Sequence, residues 1–159
     1  MNTICRITKH KYAPDPLSGV GGLHRAGRWH PQGYAVVYAA ESIALAALEL
    51  LANAEDEADL LVPLVVIPFT FDPSLVESVN PSTLPPGWNE HLHTPETQTL
   101  GRQWLTERRS AVLCVPTARM EPAESVYLIN PMHPRIGEIH VGAAEAFRLH
   151  PHLASRLGR

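Results

Sequence analysis

The chain has 159 residues, 45% of them hydrophobic and 18% charged, a composition typical of one globular domain with a single buried core. A formal net charge of -3 excludes a broad basic surface, and with it nonspecific nucleic-acid binding as the main function. The two cysteines, Cys5 and Cys114, are far apart in sequence and exclude a disulfide framework or a cysteine zinc site.

Neither the start of the chain nor its longest apolar stretch predicts membrane insertion. The opening residues, MNTICRITKHKY, lack the apolar run of a signal peptide. The stretch Leu60–Phe71 is too short to span a bilayer, and Pro63 and Pro68 interrupt it. We therefore expect a cytoplasmic protein.

In chain order, the first predicted elements are a strand and a glycine-rich loop. Alternation predicts a strand over Thr3–Thr8, with Cys5 and Arg6 on opposite faces. Five of the ten glycines then fall in the segment Gly19–Gly33, where the backbone can bend freely and approach a ligand closely.

A short strand and an unusually apolar helix follow the loop. β-Branched and aromatic residues predict the strand over Tyr34–Ala39, and Ser42 is suited to cap a helix that reaches Asn53. This helix is apolar on all sides except at Glu49, which predicts a buried helix. Glu49 either lies on a narrow solvated edge or is held at the floor of a pocket beside a cation such as Arg28.

The second half of the chain contains more predicted strands than helices, without regular βαβ alternation. The pattern predicts a solvated turn at Glu55–Asp59 and then a central strand over Leu60–Phe71, which is broken or edge-like at its prolines. A loop over Pro81–Thr99 is either functional or contains a short helix, and a helix over Leu100–Arg109 has Trp104 inward. The last predicted elements are strands at Ala111–Pro116, Val126–Ile129 and Glu138–Val141. We therefore predict a mixed α+β domain.

Common phosphate, metal and hydrolase motifs are absent from the sequence. The glycine-rich loop lacks the third glycine of G-x-G-x-x-G, because His24 takes that place, and no G-K-[ST] follows. The pairs His91/His93 and His150/His152 have no third ligand at motif spacing, so we interpret them as solvent-facing loop histidines and predict no metal. No G-x-S-x-G nucleophile elbow occurs.

The remaining candidates suit the cleavage of an N-glycosidic bond in a dinucleotide. Arg6 and Arg28 are suited to a pyrophosphate, and Glu49 to an oxocarbenium-like centre or a sugar hydroxyl. Tyr38 is either a core residue or a stacking platform for a flat heterocycle. Hydroxyl groups between residues 117 and 125 complete the set.

Three blocks of the sequence are informative through their order and spacing rather than through any one of them. The blocks are GLHRAGRWHPQG (Gly22–Gly33) with VYAAES (Val37–Ser42) and ALE (Ala47–Glu49); TLG (Thr99–Gly101) with Trp104-Leu105 and RSAVLCVPT (Arg109–Thr117); and LINPMHP (Leu128–Pro134). With these blocks the chain resembles, from about residue 5 to 141, the RES-domain family, the toxins of RES–Xre toxin–antitoxin pairs.

The resemblance implies a fold similar to ADP-ribosyltransferases: a split, mostly antiparallel β core with peripheral helices around an NAD cleft. It implies a single domain over residues 1–159, with a core at about 5–141 and a C-terminal tail at 142–159. It also implies a toxin that consumes NAD by hydrolysis or phosphorolysis, with ADP-ribosylation of a protein as the alternative. A non-enzymatic interaction domain is the third hypothesis.

The family's functional positions map onto this chain residue by residue. The resemblance implies catalytic roles for Glu49, Arg28 and Thr117, and NAD binding by Arg6, Arg28, Tyr38 and Trp29. The chain departs from the family at His30, where the family usually has Asn, and at Thr117, where it usually has Ser. Ser125 is the substitute hydroxyl if its loop folds toward the cleft.

The implied partner is an Xre-like helix-turn-helix antitoxin whose C-terminal segment blocks the cleft. DNA would then be bound only through the antitoxin, which agrees with the lack of a basic face here. The apolar residues around Leu60–Phe71 would tolerate a homodimer face.

Overall fold

The computed structural model describes residues 1–90 and 94–156, which form eight strands and five α-helices. The strands are β1 Asn2–Lys9, β2 Val37–Ala40, β3 Leu64–Phe71, β4 Val76–Ser78, β5 Val112–Pro116, β6 Ser125–Ile129, β7 His140–Val141 and β8 Glu145–Phe147. The helices are α1 Val20–His24, α2 Ile43–Asn53, α3 Ala58–Leu61, α4 Pro95–Glu107 and α5 Pro151–Ala154. None of the described helices is long and apolar enough to cross a membrane.

All the described strands belong to one curled sheet of order β4-β5-β6-β2-β1-β3-β7, with β8 also paired to β3. Every described strand pair is antiparallel except β4 with β5. Within the described residues, β1 and β2 share only the pair Cys5–Ala40, whereas β1 pairs with β3 along its whole length. The sheet is therefore split between β1 and β2, and the predicted α+β class is confirmed.

The core consists of two apolar clusters on the two faces of the sheet. One contains the fully buried Trp104 of α4, whose Nε1 donates to Ser110 Oγ at 2.8 Å, so the inward orientation predicted for this ring is confirmed. The other contains Phe69 and Phe71 of β3. Helix α2 lies on the first cluster but is not buried on all sides as predicted: Ile43 is 52% exposed.

Strand β3 shows how a proline is accommodated in the middle of a sheet. The strand runs unbroken through Pro68, whose carbonyl oxygen accepts from the N–H of Gly142 at 2.8 Å. A strand residue directs its N–H and C=O to the same side, so the missing N–H faces that same edge. There β8 pairs with residues 64–66 and β7 with residues 69–70, so Pro68 falls in the gap between them.

Several predicted boundaries are wrong in informative ways. Strand β2 begins at Val37 rather than Tyr34, and helix α3 replaces part of the predicted turn and the start of the predicted strand at Leu60. Helix α4 begins at Pro95, inside the predicted loop, because proline is well suited to the first helical turn. Residues 142–159, assigned to a tail, contribute β8 to the sheet.

The histidine pairs differ in what the structure describes. His91 and His93 lie outside the described residues. His150 and His152 are both exposed, as predicted, and the Nδ1 of His150 accepts from the N–H of His152 at 3.2 Å. The described residues contain no group of three or more side chains placed to hold a metal ion.

Candidate active site

A cavity of about 390 Å³ opens where the sheet is split. Its walls come from β1, the glycine-rich loop, β2, the second half of α2 and the loop after β5. Six of the seven predicted site residues line it: Arg6, Arg28, Trp29, Tyr38, Glu49 and Thr117. Ser125 does not.

Glu49 faces this cavity from α2 with both carboxylate oxygens bonded. Its Oε1 accepts from Thr117 Oγ1 at 2.8 Å, and its Oε2 accepts from Arg119 Nε at 3.3 Å. The side chain is 25% exposed, so it lies in a pocket wall rather than on a fully solvated edge. Arg119 forms the ion pair with Glu49, and Arg28, the nearby cation suggested by the sequence, interacts with it electrostatically.

The hydroxyl beside Glu49 belongs to Thr117. This residue directly follows β5, is 2% exposed and lies in the loop that returns to β6. Ser125 begins β6 opposite Pro116 in the strand ladder, and its carbonyl oxygen accepts from the N–H of Glu41 at 3.1 Å. The structure thus places the Thr117 hydroxyl, and not that of Ser125, in the cavity wall.

Arg28 lies at the cavity rim and anchors a neighbouring loop. Its Nη1 donates to the carbonyl oxygen of Trp88 at 2.6 Å, and its Nη2 donates to that of Glu90 at 2.8 Å. Burial lowers the pKa of Arg28 and the nearby Arg119 cation lowers it further, whereas Glu49 acts in the opposite direction. A guanidinium has five N–H donors, so two loop bonds leave capacity for a ligand anion.

Helix α4 holds the backbone on either side of Arg28. Thr97 Oγ1 donates to the carbonyl oxygen of Arg28 at 2.6 Å, and Gln98 Nε2 donates to that of Gly27 at 2.9 Å. A β-carbon on Gly101, one turn further along, would stand 1.6 Å from the carbonyl oxygen of Trp29. The absence of a side chain at Gly101 is therefore what lets the helix approach this loop.

Trp29 is a core residue that also reaches the cavity wall. It is 3% exposed, and its ring centroid lies 5.8 Å from that of Trp88. The contact packs the loop of Trp88 against the segment that carries Arg28.

Arg6, on β1, is another cation that lines the cavity. Burial lowers its pKa. Within the described part of the chain, no protein group is hydrogen-bonded to its guanidinium. Its donors therefore face the cavity available for an anionic ligand.

Tyr38 belongs to a part-buried hydrogen-bonded chain. The Nε2 of His30 lies 2.9 Å from the carbonyl oxygen of Arg25, which can only accept, so Nε2 carries a proton. In the neutral imidazole, Nδ1 then accepts from the Tyr38 hydroxyl at 2.6 Å. Burial raises the pKa of Tyr38, so its hydroxyl stays protonated and able to donate. His30 thus orients Tyr38.

We expect His30→Leu to lower the free energy of unfolding by about 1–3 kcal/mol, because the part-buried hydroxyl of Tyr38 loses its acceptor. In a Tyr38→Phe background the bond between His30 and residue 38 is already absent, whereas the bond to Arg25 is lost in both backgrounds. The same replacement should therefore cost at least about 1 kcal/mol less in that background. Urea unfolding of the four proteins measures both costs. Equal costs in the two backgrounds would contradict the assigned bond.

Asn53 and Arg119, which line the cavity and bond to one another, escaped the sequence analysis. Asn53 lies one helical turn after Glu49, a spacing that places the two side chains on one face of α2. That signal was available in the sequence. Arg119 follows Thr117 by two residues, but nothing local indicates that its loop crosses to α2.

Comparison with known proteins places the chain among RES domains. The RES domain family model matches residues 3–150. The chain is 33% identical over 127 residues to "Toxin Res" of Photorhabdus laumondii, covering 80% of each protein. It is 40% identical over 121 residues to "Toxin Res" of Pseudomonas putida, covering 75% of this chain and 80% of that protein.

A further relative and a solved structure extend the comparison. The "Prs ADP-ribosylating toxin" of Sphingobium sp. is 38% identical over 125 residues, covering 77% of each protein. A chain in the crystal structure of the M. tuberculosis MbcT–MbcA toxin–antitoxin complex matches with a TM-score of 0.77. That match covers 98% of this chain and 88% of the other at 19% identity, which shows a common fold.

Proposed function

The chain belongs to the RES domain family, and on that premise we propose that it is a toxin that cleaves the nicotinamide–ribose bond of NAD. The observation that supports this most directly is the setting of Glu49. Its carboxylate is bonded at both oxygens and lines the same cavity as Arg6 and Arg28. An anion beside cations suits a substrate that carries a pyrophosphate and develops positive charge at a sugar carbon.

In the proposed reaction the bond between nicotinamide and ribose C1′ breaks, and nicotinamide leaves as a neutral molecule. The positive charge left on the ribose is stabilised by the carboxylate of Glu49. The oxygen of water or phosphate then bonds to C1′, and a proton is released when water is the acceptor. The proposal assigns Arg6 and Arg28 to the phosphate side and Tyr38 to packing against nicotinamide.

The test is to incubate the purified protein with NAD, with and without inorganic phosphate, and to identify the products by mass spectrometry. Nicotinamide with ADP-ribose indicates hydrolysis, and nicotinamide with phosphorylated ADP-ribose indicates phosphorolysis. Heat-denatured protein is the control. Intact NAD after incubation with the folded protein would contradict the proposal.

Transfer of ADP-ribose to a protein is the second candidate. The name of the Sphingobium relative, an ADP-ribosylating toxin at 38% identity, is the observation that favours it. The same cavity would serve, with a side chain of the target protein replacing water or phosphate as the acceptor. A gain of the mass of ADP-ribose on a polypeptide in cell extract, without free ADP-ribose, identifies this outcome.

We also propose a cognate antitoxin. Relatives carry the name toxin, and the solved neighbour comes from a toxin–antitoxin complex. The segment proposed to block the cavity is the C-terminus of an Xre-like helix-turn-helix protein. Truncation of that segment should restore NAD loss in a co-purified pair.

Replacement of Thr117 tests which hydroxyl acts in the site. Thr117→Val removes the donor to Glu49 Oε1 and should lower kcat about 10–100-fold, the effect of a lost bond to a charged group. Thr117→Ser keeps the donor and should stay within about threefold of the original rate. Ser125→Ala is the matched control and should leave NAD consumption unchanged. The assignment is wrong if Ser125→Ala, and not Thr117→Val, slows the reaction.

A further inference from the structure

Arg119 spans the gap between the loop after β5 and helix α2. Its Nε donates to Glu49 Oε2 at 3.3 Å, and its Nη2 donates to Asn53 Oδ1 at 3.4 Å. These two acceptors are one helical turn apart. The side chain is 29% exposed and lines the cavity, so solvent only partly screens the ion pair.

The partners of Arg119 also bind one another. Asn53 Nδ2 donates to the carbonyl oxygen of Glu49 at 2.9 Å. The Thr117 hydroxyl donates to Glu49 Oε1 at 2.8 Å and accepts from the N–H of Arg119 at 3.2 Å. Thr117, which bonds the carboxylate of Glu49, and Asn53, which bonds its backbone carbonyl, are thus both bonded to Arg119 as well.

From this network we infer that Arg119 is the residue that positions Glu49 for the reaction, an inference that rests on the proposed function. Two N–H groups of the Arg119 guanidinium donate to residues of α2, one of them to Oε2 of Glu49. The backbone N–H of Arg119 donates to the hydroxyl of Thr117, which in turn donates to Oε1 of Glu49. Arg6 differs, because its guanidinium is not bonded to the described protein groups. A carboxylate held from both sides is oriented before substrate arrives, and such preorganisation is what electrostatic stabilisation of a transition state requires.

Kinetics of Arg119→Gln and Arg119→Lys separate positioning from substrate binding. Arg119→Gln should lower kcat about 10–100-fold, with KM for NAD within about threefold. Arg119→Lys keeps the charge but lacks the rigid planar fork that bonds Glu49 and Asn53 in one geometry, so it should recover part of the rate. Arg109→Gln is the matched control: it removes an Arg–Glu pair with Glu77 that lies outside the cavity, and the rate should not change.

Crystal structures of the original protein and of Arg119→Gln give a readout that does not depend on turnover. We expect the carboxylate of Glu49 to leave Thr117 or to occupy more than one rotamer in the variant. An unmoved carboxylate that keeps its bond to Thr117 would overturn the inference, as would a raised KM with unchanged kcat. If the original protein leaves NAD intact, the proposed function fails, and the position of Glu49 in the two crystals still decides the role of Arg119.

Discussion

Glu49→Gln is expected to lower the rate of NAD consumption about 100- to 1,000-fold while the protein stays folded. Glutamine keeps the length of the side chain and one oxygen that can accept from Thr117 or Arg119. It removes the negative charge that the proposed reaction needs beside ribose C1′. The ion pair with Arg119 is partly solvated, so the free energy of unfolding should change by no more than about 1 kcal/mol.

The control for this experiment is Glu138→Gln. Glu138 also pairs with an arginine, Arg135, at 2.8 Å, but it is exposed and does not line the cavity. Mass spectrometry follows NAD, and circular dichroism with urea unfolding follows the fold. If Glu49→Gln leaves NAD consumption unchanged, Glu49 is not the catalytic carboxylate. If the original protein is inactive and Glu49→Gln is strongly destabilised, Glu49 is a structural ion-pair residue and the interaction-domain hypothesis is favoured.

Two of the site residues that the sequence predicted, Glu49 and Arg28, have residue types that are unusual for their local setting. Glu49 interrupts a run of Ala, Leu and Ile, and Arg28 lies inside a glycine-rich loop. Such local contrast marks a candidate without any knowledge of the fold. Arg119 has no such contrast, because it lies in a polar loop where an arginine is ordinary. Its importance comes from a contact with Glu49 across 70 positions of sequence, which only the tertiary structure provides.

The fold was predictable where local patterning decides it. Strand β1 forms over Asn2–Lys9, which includes the predicted Thr3–Thr8, and α2 carries a capping serine, Ser42, whose hydroxyl accepts from the N–H of Leu45 at 3.1 Å. The burial of α2 was mispredicted, because an apolar composition does not specify which side of a helix meets the sheet. The short strands β4 and β8 have three residues each, too few for a period to be recognised, and they exist through pairing with β5 and β3.

The dependence of the site on helix α4 leads to the second large effect, at Gly101. A β-carbon there would stand 1.6 Å from the carbonyl oxygen of Trp29 and 2.7 Å from its carbonyl carbon. Both are backbone atoms, which cannot rotate away as a side chain could. Alanine has a higher helix propensity than glycine by about 1 kcal/mol, which would favour the variant in an isolated helix. The steric clash acts in the opposite direction and should dominate.

We therefore expect Gly101→Ala to lower the free energy of unfolding by about 3 kcal/mol or more, at the upper end of the cost of overpacking. Separation of α4 from the loop would also break the bonds from Thr97 and Gln98 that hold the backbone at Arg28, so the remaining folded protein should consume NAD more slowly. Gly137→Ala, where a β-carbon meets no atom within 4 Å, is the control for both measurements. If Gly101→Ala unfolds in urea like Gly137→Ala, the close contact between α4 and Trp29 does not exist in solution. If it is destabilised but keeps its full rate per folded molecule, α4 supports the fold without positioning Arg28.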